Sequence, residues 1–153
     1  MLDRRTFLLE GATAAALTAF LGGAARAEVA AAESDEYKTL FERLIGSATV
    51  LESGLALDLP DSVDNGDYVP VALVVDSPMT AENHVKAVHL LSTANPRAAV
   101  ATFRFTLLSG KAQVTCRMRL AKTQDVVAVA ELSDGRILMA RRKVDVKVGG
   151  CGI

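Results

Sequence analysis

The sequence predicts an all-β fold: an immunoglobulin-like antiparallel β-sandwich of about seven strands, preceded by a short N-terminal helix and followed by a flexible C-terminal arm. Three observations carry this reading. Apolar and polar residues alternate with the period of two that belongs to half-buried strands, as where Val114, Cys116, Met118 and Leu120 oppose Thr115, Arg117 and Arg119. Turn-forming clusters recur between the apolar runs, among them Asn65-Gly66-Asp67, Asp76-Ser77-Pro78, Asn95-Pro96 and Ser133-Asp134-Gly135. No long helical pattern intervenes between the runs, as a parallel sheet would require.

The elements follow in order. Residues 1–27 read as an export signal. Asp3-Arg4-Arg5-Thr6-Phe7-Leu8-Leu9 sets two arginines before apolar residues and resembles the twin-arginine signal of bacterial export. A weakly apolar stretch follows, and Ala25-Arg26-Ala27 has the A-x-A form of a cleavage site. The competing readings are an amphipathic helix and a membrane anchor. An anchor needs about 20 strongly apolar residues, whereas Thr13, Thr18, Gly22 and Gly23 dilute this stretch. Export of folded cargo to the periplasm is the expectation.

Residues 28–46 are expected to be a lead-in and a short helix. Ser34 can cap it, Asp35 and Glu36 suit its first turn, and Tyr37, Leu40, Phe41, Leu44 and Ile45 share one face before Gly46 closes it. Residues 47–148 are the expected sandwich, with strand runs at 50–59, 68–75, 85–91, 99–108, 112–120, 125–132 and 137–148. In the fourth run Phe103, Phe105 and Leu107 are expected on one side, against Arg104 and Thr106. The absence of Trp excludes an antibody-type domain with its core tryptophan. Residues 149–153, Gly149-Gly150-Cys151-Gly152-Ile153, form the expected flexible arm.

Composition narrows the function. The chain of 153 residues is half hydrophobic and 23% charged, with a formal net charge of −1. Without residues 1–27 it loses Arg4, Arg5 and Arg26 against Asp3 and Glu10, leaving 14 basic and 16 acidic residues, a net of −2 over 126 residues. Such a surface offers no electrostatic footing for nucleic acid. Two histidines, His84 and His89, lie five apart, a spacing that sends strand residues to opposite faces, so no metal site is expected. There is no C-x-x-C-H, C-x-x-C, G-x-S-x-G or phosphate-cradling glycine loop. Arg141-Arg142-Lys143 is the densest basic run, read either as gatekeeping charge on a solvated edge strand or as an anion site.

The two cysteines differ in setting. Cys116 lies in an alternating strand and reads as a core thiol, with a disulfide to Cys151 as the alternative. Cys151 stands between glycines beyond the last strand, at the end of an arm that reaches about 3.3 to 3.6 Å per residue. A thiolate is a nucleophile and a ligand, and an ordinary thiol ionises near a pKa of about 8.5. With no base in the sequence to activate it, Cys151 fits a carrier thiol activated inside another protein's site. No catalytic residue and no cofactor are assigned.

These features resemble the SoxY family, the sulfur-carrying subunits of the bacterial periplasmic sulfur-oxidation system. The resemblance spans most of the mature chain, notably residues 76–87, 119–124, 127–135 and Gly149-Gly150-Cys151-Gly152. It implies a carrier that holds thiosulfate-derived intermediates on Cys151 and pairs with a SoxZ-like subunit. It further implies transient partners: a SoxAX-like haem enzyme, a SoxB-like hydrolase and a SoxCD-like dehydrogenase. The sequence departs from the family at its end, where Ile153 replaces a usual glycine with a stiff β-branched residue, and in carrying Cys116. Two other readings stay open: an exported interaction module whose tail cysteine makes an intermolecular disulfide, and an independent thiol enzyme.

Overall fold

In the computed structural model, residues 32–150 are described. The chain begins with α1 (Asp35–Ile45), for the reasons visible in its sequence. The Tyr37 N–H donates to Ser34 Oγ over 3.2 Å, Asp35 and Glu36 occupy the positive end of the helix, and Gly46 closes it at φ 51° with its N–H on the Glu42 carbonyl.

Nine strands follow: β1 (Val50–Leu51), β2 (Leu55–Asp58), β3 (Ser62–Asn65), β4 (Val69–Val75), β5 (Val85–Ser92), β6 (Ala99–Arg104), β7 (Ala112–Met118), β8 (Gln124–Leu132) and β9 (Ile137–Val148). One sheet runs β1-β9-β8-β5-β6, with β3 also on β9, and the other runs β2-β4-β7. The two sheets enclose the main core, which Leu57, Val71 and Leu73 enter from one side and Val88, Leu90, Val126 and Ala128 from the other. The opposite face of the larger sheet carries a second cluster, in which Tyr37 of α1 packs with Leu91, Val127, Val129 and Ile137. The architecture is therefore a β-sandwich with one helix laid on its larger sheet.

The all-β sandwich is as expected, but several details differ. The single run over 50–59 is two strands in different sheets, because Gly54 at φ 84° turns the chain from β1 on β9 to β2 on β4. The polar segment at β3 lacks any apolar alternation, yet it pairs with β9. Both β1 and β3 run parallel to β9, so the sheets are not wholly antiparallel. The run over 99–108 ends as a strand at Arg104, and Leu107–Ser109 form a 3-10 turn. Phe103 and Phe105 pack on the core, whereas Leu107 is 46% exposed, because the turn takes it off the strand's inward side.

The last strand is not an edge. β9 lies between β8 on one side and β1 and β3 on the other. Its basic run is also paired: Arg141 bridges Glu33 and Asp125 at 2.6 Å each, Arg142 meets Asp61 at 2.8 Å and Lys143 meets Asp145 at 3.3 Å. These partners satisfy the charges that an anion site would need free. Burial works to lower the Arg141 pKa, but hydrogen bonds to Glu33 and Asp125 outweigh it and hold the value above the ordinary one.

Candidate functional site

The site is built where β9 ends. Beyond Val148 the chain runs between two other backbone segments, the β3–β4 turn at Gly66 and the β7–β8 loop at Leu120-Ala121. The Gly66 N–H donates to the Val148 carbonyl over 2.8 Å, and the Gly150 N–H donates to the Leu120 carbonyl over 2.9 Å. A third bond, from the Leu120 N–H to the Gly66 carbonyl over 2.8 Å, ties the two walls together.

Glycine is required here for closeness. A Cβ on Gly149 would stand 2.0 Å from the Ala121 carbonyl oxygen, and one on Gly66 2.1 Å from that of Leu120. A Cβ on Gly150 would meet the Gly66 carbonyl at 2.9 Å. None of these three glycines has a positive φ, so the missing side chain, and not a left-handed backbone, is what the geometry uses. Gly149 and Gly150, the first two residues of the expected arm, lie against the body of the fold. Cys151, Gly152 and Ile153 lie outside the described residues, as do Arg4, Arg5, Phe7, Leu8, Ala25 and Ala27 of the expected signal.

A buried polar network supports the loop from beneath. Asn95 and Gln124 are 4% and 1% exposed. Asn95 Nδ2 donates to the Arg119 carbonyl, while Asn95 Oδ1 accepts from the Ala121 N–H, both at 2.9 Å. Gln124 Nε2 donates to the same Asn95 Oδ1 at 2.6 Å, and Gln124 Oε1 accepts from the Ala94 N–H at 2.7 Å. Thr123 adds a clamp on the strand itself, its Oγ1 accepting from the Val146 N–H at 2.9 Å. Sequence reasoning saw Gly66 and Asn95 only as turn formers and singled out neither Thr123 nor Gln124 as a site residue.

The other candidates are dispersed. Cys116 points to the core side of β7 but is only half-buried, because β7 is an edge strand of the smaller sheet. Burial pushes its thiol up from the ordinary value. Its pairing with Cys151 concerns a residue outside those described. His84 is a loop residue whose Nδ1 meets the Thr80 carbonyl at 3.1 Å. His89 lies on β5, on the sheet face that carries the helix and not in the sandwich core, between Glu131 at 2.8 Å and Thr102 at 3.0 Å. Among the described residues no group of three or more His, Cys, Asp or Glu side chains is placed to hold a metal ion, and no helix is long and apolar enough to cross a membrane.

A family model described as the sulfur oxidation protein SoxY matches residues 41–151. The chain belongs to the SoxY family. Among solved structures, the sulfur carrier protein SoxY from Chlorobium limicola f thiosulfatophilum is 27% identical, with a TM-score of 0.61 over 74% of this chain and 97% of that one. The superoxide reductase neelaredoxin from Ignicoccus hospitalis is 18% identical, with a TM-score of 0.55 over 60% of this chain and 79% of that one. A putative superoxide reductase from Thermotoga maritima is 15% identical, with a TM-score of 0.54 over 65% and 93%. The likeness to the reductases is one of fold alone. No curated protein matches the chain. In this SoxY-family chain the matched span takes in Gly149 and Gly150 and ends on Cys151.

Proposed function

We propose that this SoxY-family protein is a periplasmic sulfur carrier, not itself an enzyme, that holds thiosulfate-derived intermediates covalently on Cys151 and presents them to separate enzymes. The observation that carries the reading is the family match whose last residue is Cys151. Burial raises the Cys116 pKa, so that thiol is less ionised than an ordinary one at any given pH.

The chemistry needs a tethered thiol and an external oxidant. The Cys151 thiol and thiosulfate join by a new S–S bond, giving a cysteine S-thiosulfonate, one proton and two electrons, which a SoxAX-like haem enzyme accepts. Water then cleaves the bond between the sulfane sulfur and the sulfonate, releasing sulfate and a proton and leaving a persulfide on Cys151. A SoxB-like hydrolase performs that step, and a SoxCD-like dehydrogenase oxidises the remaining sulfane sulfur. The carrier contributes the nucleophile and brings no cofactor of its own. A SoxZ-like subunit is its proposed stable partner, and the leader with Arg4 and Arg5 its proposed route to the periplasm.

Intact mass spectrometry tests the central claim. Incubation with thiosulfate and the cognate enzymes is expected to add mass to the C-terminal peptide, and Cys151→Ser to abolish it. Adducts that survive this substitution overturn the reading. Coexpression with the SoxZ-like subunit is expected to give a heterodimer; a stable monomer refutes that pairing. Replacing Arg4 and Arg5 with lysine is expected to leave unprocessed precursor in the cytoplasm, and unchanged export overturns the proposed route.

A further inference from the structure

The solvent face of the smaller sheet is polarised across its strands. Along β4, Val69, Val71 and Leu73 point into the core, so Pro70, Ala72 and Val74 line the outer side, and Tyr68 just before the strand is 68% exposed. On the edge strand β7 the same alternation leaves Gln113, Thr115 and Arg117 outside, and Arg119 beyond it is exposed as well. The register sets Arg117 against Pro70, while Tyr68 and Arg119 lie one step beyond the Val69–Met118 pair. Lys122 is exposed in the loop that follows. Asp58 lies across β4 on β2, opposite Ala72, and Asp67 is already engaged.

These cations differ from those of β9. Arg141, Arg142, Lys143 and Lys147 are all paired with carboxylates. Among the described residues, Arg117, Arg119 and Lys122 meet no carboxylate within ion-pair distance. An edge strand can carry charge merely to deter pairing with other strands, a task that either sign performs. Here the charge has one sign and stands beside an exposed tyrosine and proline. It also lies where the C-terminal segment leaves the sandwich, because the Gly150 N–H donates to the carbonyl of Leu120, the residue after Arg119. Tyrosine and arginine are the side chains that interfaces concentrate at their energetic centres.

We infer that Tyr68, Pro70, Arg117 and Arg119, with Lys122 at the margin, form a docking surface for a protein that presents carboxylates around an apolar centre, and that this protein is the enzyme that loads the carrier. The inference rests on the carrier reading. Tyr68 and Pro70 supply apolar contact, and the arginines steer the encounter and fix its orientation. Charges at the rim of a contact act mainly on the association rate, so the surface sets how often enzyme and carrier meet and not the chemistry that follows. A permanently held subunit would bury these charges at a desolvation cost that brief contact at a hydrated rim avoids.

The test measures kcat/KM for enzyme-dependent adduct formation on the mature carrier, in complex with its partner subunit. Salt is varied from about 0.01 to 1 M, over which the screening length falls from about 30 Å to about 3 Å. The parent value is expected to fall steeply with salt. Arg117→Glu with Arg119→Glu is expected to lower kcat/KM about tenfold at low salt, with kcat unchanged, and to flatten or invert the salt dependence. Arg117→Lys with Arg119→Lys is expected to keep most of the parent behaviour. Tyr68→Ala is expected to raise KM severalfold at every salt concentration and to leave the salt slope intact.

A glutamate pair that matches the parent at every salt concentration assigns the arginines to deterring strand pairing and overturns the surface. Loss of the partner subunit in the glutamate pair, or self-association of the parent that the glutamate pair abolishes, names a different occupant and overturns it too. The carrier reading fails separately. No adduct on Cys151 of the parent after prolonged incubation ends both, whereas adducts that reach full yield at a rate indifferent to salt and to the glutamate pair end the docking surface alone.

Discussion

Gln124 Nε2 donates to Asn95 Oδ1 over 2.6 Å, and both side chains are buried. That same oxygen accepts from the Ala121 N–H, the residue whose carbonyl faces Gly149. A single amide thus couples the interior to the loop on which the C-terminal segment rests. Asn95→Ala strands the Ala121 N–H, the Arg119 carbonyl and part of Gln124 in a buried setting. Each orphaned group costs about 1–3 kcal/mol, and partial access of water to the loop brings the expected total to about 3 kcal/mol. Urea denaturation is the measurement, and a loss below about 1 kcal/mol contradicts the network's importance. Asn95→Asp keeps the acceptor but sets a buried carboxylate oxygen against the Arg119 carbonyl, so it is expected to cost at least as much as Asn95→Ala.

The thiols are expected to separate by pH. Burial raises the Cys116 pKa, so at any given pH a smaller fraction of Cys116 is thiolate than for an ordinary thiol, and its alkylation must be slower. The sign fixes the profile: the Cys116 rate continues to climb with pH after an ordinary thiol has levelled off. Peptide mapping after iodoacetamide treatment at several pH values measures this directly. Levelling of Cys116 at or below the ordinary thiol range is the contrary outcome.

Strand alternation made much of the fold legible. Ala112, Val114, Cys116, Met118 and Leu120 all turn inward, as their spacing requires. β3 was illegible because Ser62-Val63-Asp64-Asn65 has a single apolar residue, Val63, too few to show alternation; its pairing to β9 comes from backbone bonds, from Val63 packing on the core and from the Lys147–Asp64 contact at 2.7 Å, all long-range. The close approach at Gly149 and Gly150 was hidden for a similar reason. A Gly-Gly pair reads as freedom when the only neighbours considered are sequential, and it is the carbonyls of Leu120 and Ala121 that turn it into a close fit. Asn95 and Gln124 look like ordinary loop polars until burial shows that they have no solvent to bond.

Helix α1 gives a graded test of docking against capping. Ser34→Ala removes one acceptor, Oγ, from the Tyr37 N–H, and the cost is expected to be about 1 kcal/mol. Tyr37→Ala removes the side chain that joins α1 to Leu91, Val127, Val129 and Ile137, and about 3–4 kcal/mol is expected by analogy with large aromatic truncations. Thermal denaturation of the two variants compares them. Equal losses contradict the view that packing, and not the cap, secures the helix.

Thr123 gives the sharpest separation of a strand clamp from general stability. Its Oγ1 accepts from the Val146 N–H at 2.9 Å, four residues before Gly150. Thr123→Val keeps the shape and deletes the acceptor, leaving a half-buried N–H at a cost of about 1 kcal/mol. Thr123→Ser retains the oxygen and is expected to be nearly neutral. Because β8 pairs β9 from Glu131–Ile137 to Gln124–Val144, Val146 and the residues after it depend on β3, Thr123 and the bond from the Gly150 N–H to the Leu120 carbonyl. Amide exchange in Thr123→Val is therefore expected to quicken at Val146 and Gly150 while Ala140 and Arg142, whose N–H groups face β8, stay protected. Uniform quickening along β9 means that the end of the strand is not clamped separately from the rest.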